Sequence, residues 1–151
     1  MTPQGFQRPR NFRLKGVVVC DAMLRLCRLA MDIYGPDIER FVVYMAVISA
    51  GISHFQRDSE LRARYADDAP LPNELRLGVS RRAIAESVGL PRETVRRKIK
   101  ALIESGHVFE EDGLVKARGP VIDLDRNLEF LLGAMREVDR AAAALKRADE
   151  A

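Results

Sequence analysis

The sequence predicts a mainly α-helical protein with one small β-hairpin, and three observations predict it. Apolar residues recur at three- and four-residue spacing over most of the chain, and Gly and Pro interrupt the runs. Two short helical patterns meet at Gly89 within residues 80–106. Directly after them, two strand-like segments flank Asp112-Gly113, and Asp-Gly is among the strongest hairpin signals. With 151 residues, 47% of them apolar, the chain suits one domain with a sizeable core.

Residues 1–15 read as a flexible basic arm. Arg8, Arg10, Arg13 and Lys15 stand there among prolines and polar residues, with no acid. From Gly16 to about Tyr34, Val19, Met23, Leu26 and Ala30 keep helical spacing until Gly35-Pro36 ends the run, so 16–35 is a supporting or dimerisation helix. Asp37 opens a second helix, in which Ile38, Phe41, Val42, Met45, Ile48 and Ile52 form a broad apolar stripe reaching about Phe55. Residues 57–76 read as a loop with a short helical turn, and Leu75-Arg76-Leu77 as a short strand that pairs with the hairpin.

The stretch from Ser80 to Gly106 is the most informative. Ser80 is a natural N-cap, Ala85 allows close helix crossing, and Gly89 suits the positive φ of a sharp turn. Pro91 suits the first turn of the helix that follows. Ile84, Val88, Leu90, Val95, Ile99 and Leu102 make one inner face, and Gly106 can end the second helix. His107-Val108-Phe109 and Leu114-Val115-Lys116 then read as strands around Glu110-Glu111-Asp112-Gly113. Helix, turn, helix and hairpin, spanning 36–120, is the order of a winged helix-turn-helix, flanked here by N- and C-terminal helices.

In the last segment, 121–151, Leu124, Leu128, Leu131, Met135, Val138, Ala142 and Leu145 follow at spacings 4, 3, 4, 3, 4, 3. Asp123 or Asp125 can cap this helix. The heptad seam predicts dimerisation through Leu124, Leu128, Leu131, Met135, Val138 and Leu145, together with the 16–35 helix. A duller reading packs the seam on the chain's own N-terminal helices.

Charge is concentrated. Between 80 and 100, Arg81, Arg82, Arg92, Arg96, Arg97, Lys98 and Lys100 face only Glu86 and Glu93, a net +5 in a chain whose total is +3. A basic element on an otherwise acidic body is the footprint of phosphate binding. Solvated helix faces are often charged too, but here the charge falls on the element shaped for a major groove.

Ser80-Arg81-Arg82-Ala83-Ile84-Ala85, Val88-Gly89-Leu90 and Arg92-Glu93-Thr94-Val95-Arg96-Arg97 resemble the DNA-binding domain of the cyclic-AMP receptor protein family. In that family an Arg-Glu-Thr-Val-x-Arg run opens the recognition helix. The resemblance implies Arg92, Glu93 and Arg97 as base readers, with Ser80, Arg81, Arg82 and Thr94 near phosphates. It spans about 40 residues. Pro91 stands where the family often has a phosphate-donating serine, so that contact is lost. The upstream segment is too short for the family's nucleotide-sensing β-roll, so the docking mode carries over and the cyclic-nucleotide effector does not. The terminal helices look similar in arrangement to multiple-antibiotic-resistance (MarR) type regulators, a likeness that no motif supports.

The chemistry agrees with the resemblance, because Arg pairs bidentately with guanine and Glu accepts from cytosine N4. Arg96 joins the readers by its place on the exposed face, and Lys100 joins the phosphate contacts. The expectation is a sequence-specific regulator that binds an inverted repeat in double-stranded DNA as a homodimer. The alternative is a winged helix used only for protein contact. An unknown small-molecule effector is compatible with the helical N-terminal half, though no residue marks a ligand.

Catalysis has little support. There is no Gly-rich phosphate loop, no nucleophile elbow, and no carboxylate pair set against a base, and no cofactor or metal is expected. His54 and His107 lack partner spacing and read as structural or surface groups. Cys20 and Cys27, seven apart on one helix face, read as small apolar packing groups, with a redox switch as the sharper alternative. The N-terminal tail lacks the apolar block of a secretion signal and no apolar run looks long enough for a bilayer, which together suggest a cytoplasmic chain.

Overall fold

The computed structural model describes residues 8–66, 71–119 and 125–151. It is mainly helical with one two-stranded antiparallel sheet. The chain forms two compact units, one of Met1–Gly35 with Glu129–Ala151 and the other of Pro36–Leu128.

The Pro36–Leu128 unit is built on helix α2, Ile38–Ile52. Asp37 caps it by accepting from the Arg40 backbone N–H at 2.9 Å. Val43, Tyr44 and Val47 are fully buried along its length. The segment Ile38–Gln56 is long and apolar enough to cross a membrane by length and composition, contrary to the expectation that no run qualifies. Only a narrow side of it, Val43, Tyr44, Val47 and Gly51, is buried where α2 packs on the two helices and the strand that follow it. Of the stripe expected from the sequence, Val42 and Ile52 are exposed and Ile38, Phe41, Met45 and Ile48 half-buried. Past a 3₁₀ turn at Ser53–Gln56, the structure forms helix α3, Ser59–Tyr65, where the sequence predicts mostly loop. Asp58 initiates it by accepting from the N–H groups of Glu60 and Leu61, both at 3.0 Å. Helix α3 buries no residue, so it shows no apolar stripe to read.

The strand expected at Leu75–Leu77 is absent. Asn73–Leu75 is a 3₁₀ turn, and the Leu77 N–H donates instead to the Gly51 carbonyl at 3.1 Å. Pairing with the hairpin falls two residues later, where Val79 and Val115 exchange backbone hydrogen bonds of 2.9 and 2.8 Å.

Helix α4, Arg81–Val88, starts at Ser80, whose hydroxyl accepts from the Ala83 N–H at 3.1 Å. Gly89 ends it at φ 70°, a left-handed conformation that a side chain disfavours. Pro91 occupies the N-cap position of helix α5, Arg92–Glu104. Ile84, Ala85, Val95, Ile99 and Leu102 are buried, while Val88 and Leu90 are half-buried. Strands β1, Val108–Glu111, and β2, Leu114–Ala117, then pair with Val108 opposite Ala117 and Glu111 opposite Leu114. Asp112 at φ 52° and Gly113 at φ 76° close the hairpin, the two left-handed residues whose twist matches that of the strands.

The other unit pairs helix α1, Phe12–Tyr34, with most of helix α6, Asp125–Glu150. Helix α1 begins before the predicted Gly16, so Arg13 and Lys15 are helical rather than part of a flexible arm. The Asn11 amide donates to the Ala148 carbonyl at 2.7 Å, and Lys15 pairs with Asp149. These contacts order the start of the helix. At the other end Tyr34 meets Phe130 edge to face at 5.5 Å. Gly133 lets Leu29 approach so closely that a Cβ there would lie 2.7 Å from a Leu29 methyl.

Within this unit the predicted seam of α6 is not what packs on α1. Met135 and Val138 are 60% and 56% exposed, while Leu131 and Leu145 are half-buried; Leu128, which belongs to the Pro36–Leu128 unit, is 44% exposed. Leu124 lies outside the described residues. The covered side of α6 runs instead through Phe130, Ala134, Glu137, Ala141, Ala144 and Ala148, a stripe rotated around the helix from the leucines. Phe130 and Ala148 are the members of that stripe most withdrawn from water, and Ala134, Ala141 and Ala144 between them are half-buried.

Replacing Ile99 with Ala is expected to cost about 2–5 kcal/mol of stability, the range for emptying a closed aliphatic site. Gly89→Ala is expected to cost about 1–2 kcal/mol through its positive φ alone. Urea unfolding of the two variants checks both values and their order.

Candidate nucleic-acid interface

The inward side of α5 is fixed by Val95, Ile99 and Leu102, each at most 3% exposed. Helical periodicity then places Arg92, Glu93, Arg96, Arg97 and Lys100 together on the outward side, where all five are exposed. Thr94 is half-buried at the edge of that surface.

The charged groups differ in how they are engaged. Arg96 grips Glu93 through two hydrogen bonds of 2.8 and 2.6 Å. That grip holds the Glu93 carboxyl below its ordinary range, with the nearby Arg97 charge adding to it. Arg92 and Arg97 make no hydrogen bond or ion pair among the described residues. Lys100 lies 3.9 Å from Glu104, a loose surface pair. Lys98, counted in the basic segment of the sequence, does not belong to the outward face. Its side chain is only 14% exposed and donates to both Asp37 oxygens, at 2.8 and 2.9 Å, and lies 3.1 Å from Glu39. It therefore ties α5 to the start of α2. Burial pushes the Asp37 carboxyl up, but hydrogen bonds from Lys98 and the Arg40 N–H outweigh it and hold the group below its ordinary range.

Of the residues expected near phosphates, Ser80 has its hydroxyl engaged as the α4 cap. Arg81 reaches across to the hairpin and pairs with Glu110 at 2.7 Å. Arg82 pairs with Glu86 at 2.8 Å along α4 and is otherwise exposed. The hairpin is acidic: Glu110 holds Arg81, Glu111 holds Lys116 at 2.6 Å, and Asp112 sits exposed at the tip. The run Glu110-Glu111-Asp112 announces this in the sequence. The two cross-links, Lys98 to Asp37 and Arg81 to Glu110, join residues 61 and 29 positions apart and leave no local signal.

His107 stands at the root of the hairpin, edge-on to the buried Tyr44 ring at 5.2 Å and 2.7 Å from the Ser105 hydroxyl. Tyr44 accepts in turn from Asn127 in the first turn of α6, at 3.1 Å. Burial, and then the charges of Arg40 and Arg126, hold the His107 imidazolium pKa below its ordinary 6.5. His54 is half-buried beside the Phe55 ring at 4.6 Å. Cys20 and Cys27 are exposed rather than packed as small apolar groups. Among the described residues no group of three or more His, Cys, Asp or Glu is placed to hold a metal ion.

Comparison with known proteins returns no family model, curated protein or solved structure that matches the chain.

The His107 shift has a consequence for stability. A depressed imidazolium pKa means that the unfolded chain takes up the proton first. The stability tied to neutral His107 is complete above pH 6.5 and declines as pH falls below it. His107→Asn is expected to flatten that part of the pH–stability profile, measured by thermal unfolding between pH 5 and 7.5 (about this window). An unchanged slope would contradict the assignment.

Proposed function

We propose that the chain is a winged helix-turn-helix regulator of transcription that binds double-stranded DNA in a sequence-specific way, with α5 as its recognition helix. The observation that carries this reading is the outward face of α5. Two unpartnered arginines and a Glu–Arg pair stand there on a helix whose opposite side is locked into the core. A helix held in that way can enter a major groove without losing its own packing.

The roles divide by engagement. Arg92 and Arg97 present undistracted forks to guanine O6 and N7. Glu93 accepts from cytosine N4 once Arg96 turns away, and Arg96 then becomes available to a neighbouring base or phosphate. Until that moment Arg96 shields the carboxylate from the phosphate field. Arg82 and Lys100 exchange weak surface pairs for phosphate oxygens, which position the helix without reading sequence. Arg81 acts as a brace between α4 and the wing, and Ser80 keeps its cap.

The wing, formed by β1 and β2, departs from this basic character. Its Glu110-Glu111-Asp112 tip is repelled by phosphate, so docking runs through α5 with the wing tilted off the duplex. A dimer with two-fold symmetry would set two recognition helices on the half-sites of an inverted repeat.

Three measurements test the reading. In fluorescence anisotropy with random duplex, log affinity is expected to fall with log salt at about −0.9 per phosphate engaged. A flat salt response would favour the protein-contact alternative. After selection of a preferred site from random duplexes, Arg92→Ala should cost about 1–3 kcal/mol on that site and relax preference at one base pair. Lys100→Ala should weaken all duplexes alike. Glu111→Gln with Asp112→Asn should tighten random-duplex binding several-fold at low salt. No gain would mean that the wing stays beyond about 10 Å, one screening length at moderate salt.

A further inference from the structure

Helix α1 is apolar on two opposite sides. Toward α6 it presents Val18, Ala22, Leu26, Leu29 and Ile33, half-buried, and Ala30, buried. On the far side Val17, Cys20, Leu24, Cys27 and Met31 follow at spacings of 3, 4, 3 and 4. All five are exposed, Val17 and Leu24 at 68% each. A helix apolar all round is a buried helix, and a stripe with heptad spacing fits another helix.

The charges beside the stripe choose the occupant and its direction. Asp21 and Arg28 are seven residues apart, flank the stripe on one edge, and are both exposed. Each sits in a surface pair on its own helix, Asp21 with Arg25 at 2.9 Å and Arg28 with Asp32 at 4.0 Å, of the kind that exchanges partners at little cost. In a parallel pair this edge would meet the partner's opposite flank, where Met23 and Ala30 stand, and neither charge would find an opposite one. Antiparallel copies set each acid against a base, twice over, so the edge is complementary to itself. We propose that this outer stripe is a self-association seam, with α1 of a second copy lying antiparallel on it. The two-fold axis passes between Leu24 and Cys27. Leu24 then meets the partner's Cys27, Met31 meets the partner's Cys20, and Asp21 pairs with the partner's Arg28.

The seam supplies the symmetry on which the dimeric part of the proposed function rests, and it places that symmetry on α1 instead of the α6 leucines. It also accounts for two thiols on an exposed helix face: in the dimer they are covered.

The test uses the full chain without nucleic acid. Sedimentation equilibrium is expected to show a dimer, and Leu24→Arg, at an exposed position, a helical monomer with an unchanged circular dichroism spectrum. Asp21→Arg and Arg28→Asp should each weaken the dimer by about tenfold, and the two combined should restore it. Cys20 and Cys27 should react faster with a thiol reagent in Leu24→Arg than in the unaltered chain. A monomeric unaltered chain overturns the proposal. So does failure of the combined charge reversal to restore the dimer, or a dimer that resists Leu24→Arg yet is lost with Met135→Arg. A monomeric chain that still binds random duplex would sink the seam while leaving DNA binding by a single copy intact.

Discussion

Burial of one side of α5 against α2 is the constraint from which the rest of the Pro36–Leu128 unit follows. Val43, Tyr44 and Val47 on one helix and Val95, Ile99 and Leu102 on the other are withdrawn from water. Rotating α5 about its axis would return those groups to solvent at about 1.5–3 kcal/mol for each large aliphatic side chain. The helix therefore has a single azimuth. With the azimuth set, the arginines of α5 cannot do other than face outward. Lys98, at the border of the two faces, is caught by Asp37 and Glu39 and reinforces the same orientation.

Around that constraint the ion pairs sort the basic residues into braces and free groups. Lys98 and Arg81 hold one element to another across long sequence separations. Arg82, Arg96 and Lys100 sit in short-range pairs on exposed helix surface, and such pairs contribute little to folding. Breaking them costs little, which is the property the proposed interface would need. Arg92 and Arg97 require no exchange at all. A net charge of +5 read along a segment thus overstates the unengaged charge on the outward face and conceals how it is divided.

The two-helix unit meets a different constraint. A pair of helices has only one mutual contact, so apolar residues beyond it stay in water unless something else covers them. In α6 the covered side is Phe130 and a run of alanines, which leaves Met135 and Val138 outside. In α1 both sides are apolar, and the side away from α6 holds the two cysteines. The proposed self-association seam on α1 rests on that asymmetry.

Much of the secondary structure is legible in the residues. Asp37, Ser80, Gly89 and Asp112-Gly113 act through their own backbone, so caps, turn and hairpin can be read locally. The inner face of α4 and α5 is equally plain, because its spacing is strictly helical. Helix α3 escapes such a reading because it buries nothing, and the strand expected at Leu75–Leu77 is misplaced because bridge register depends on where β2 lies. The α6 leucines make a true heptad, yet spacing alone does not say which stripe a neighbour will cover. The sequence by itself determined α1, α2, α4, α5 and α6, the turn and the outward arginines of α5, since those depend on local backbone preference and periodicity. Only the tertiary structure decided which charges are engaged and which apolar stripes remain open, since these depend on which distant groups the packed chain brings together.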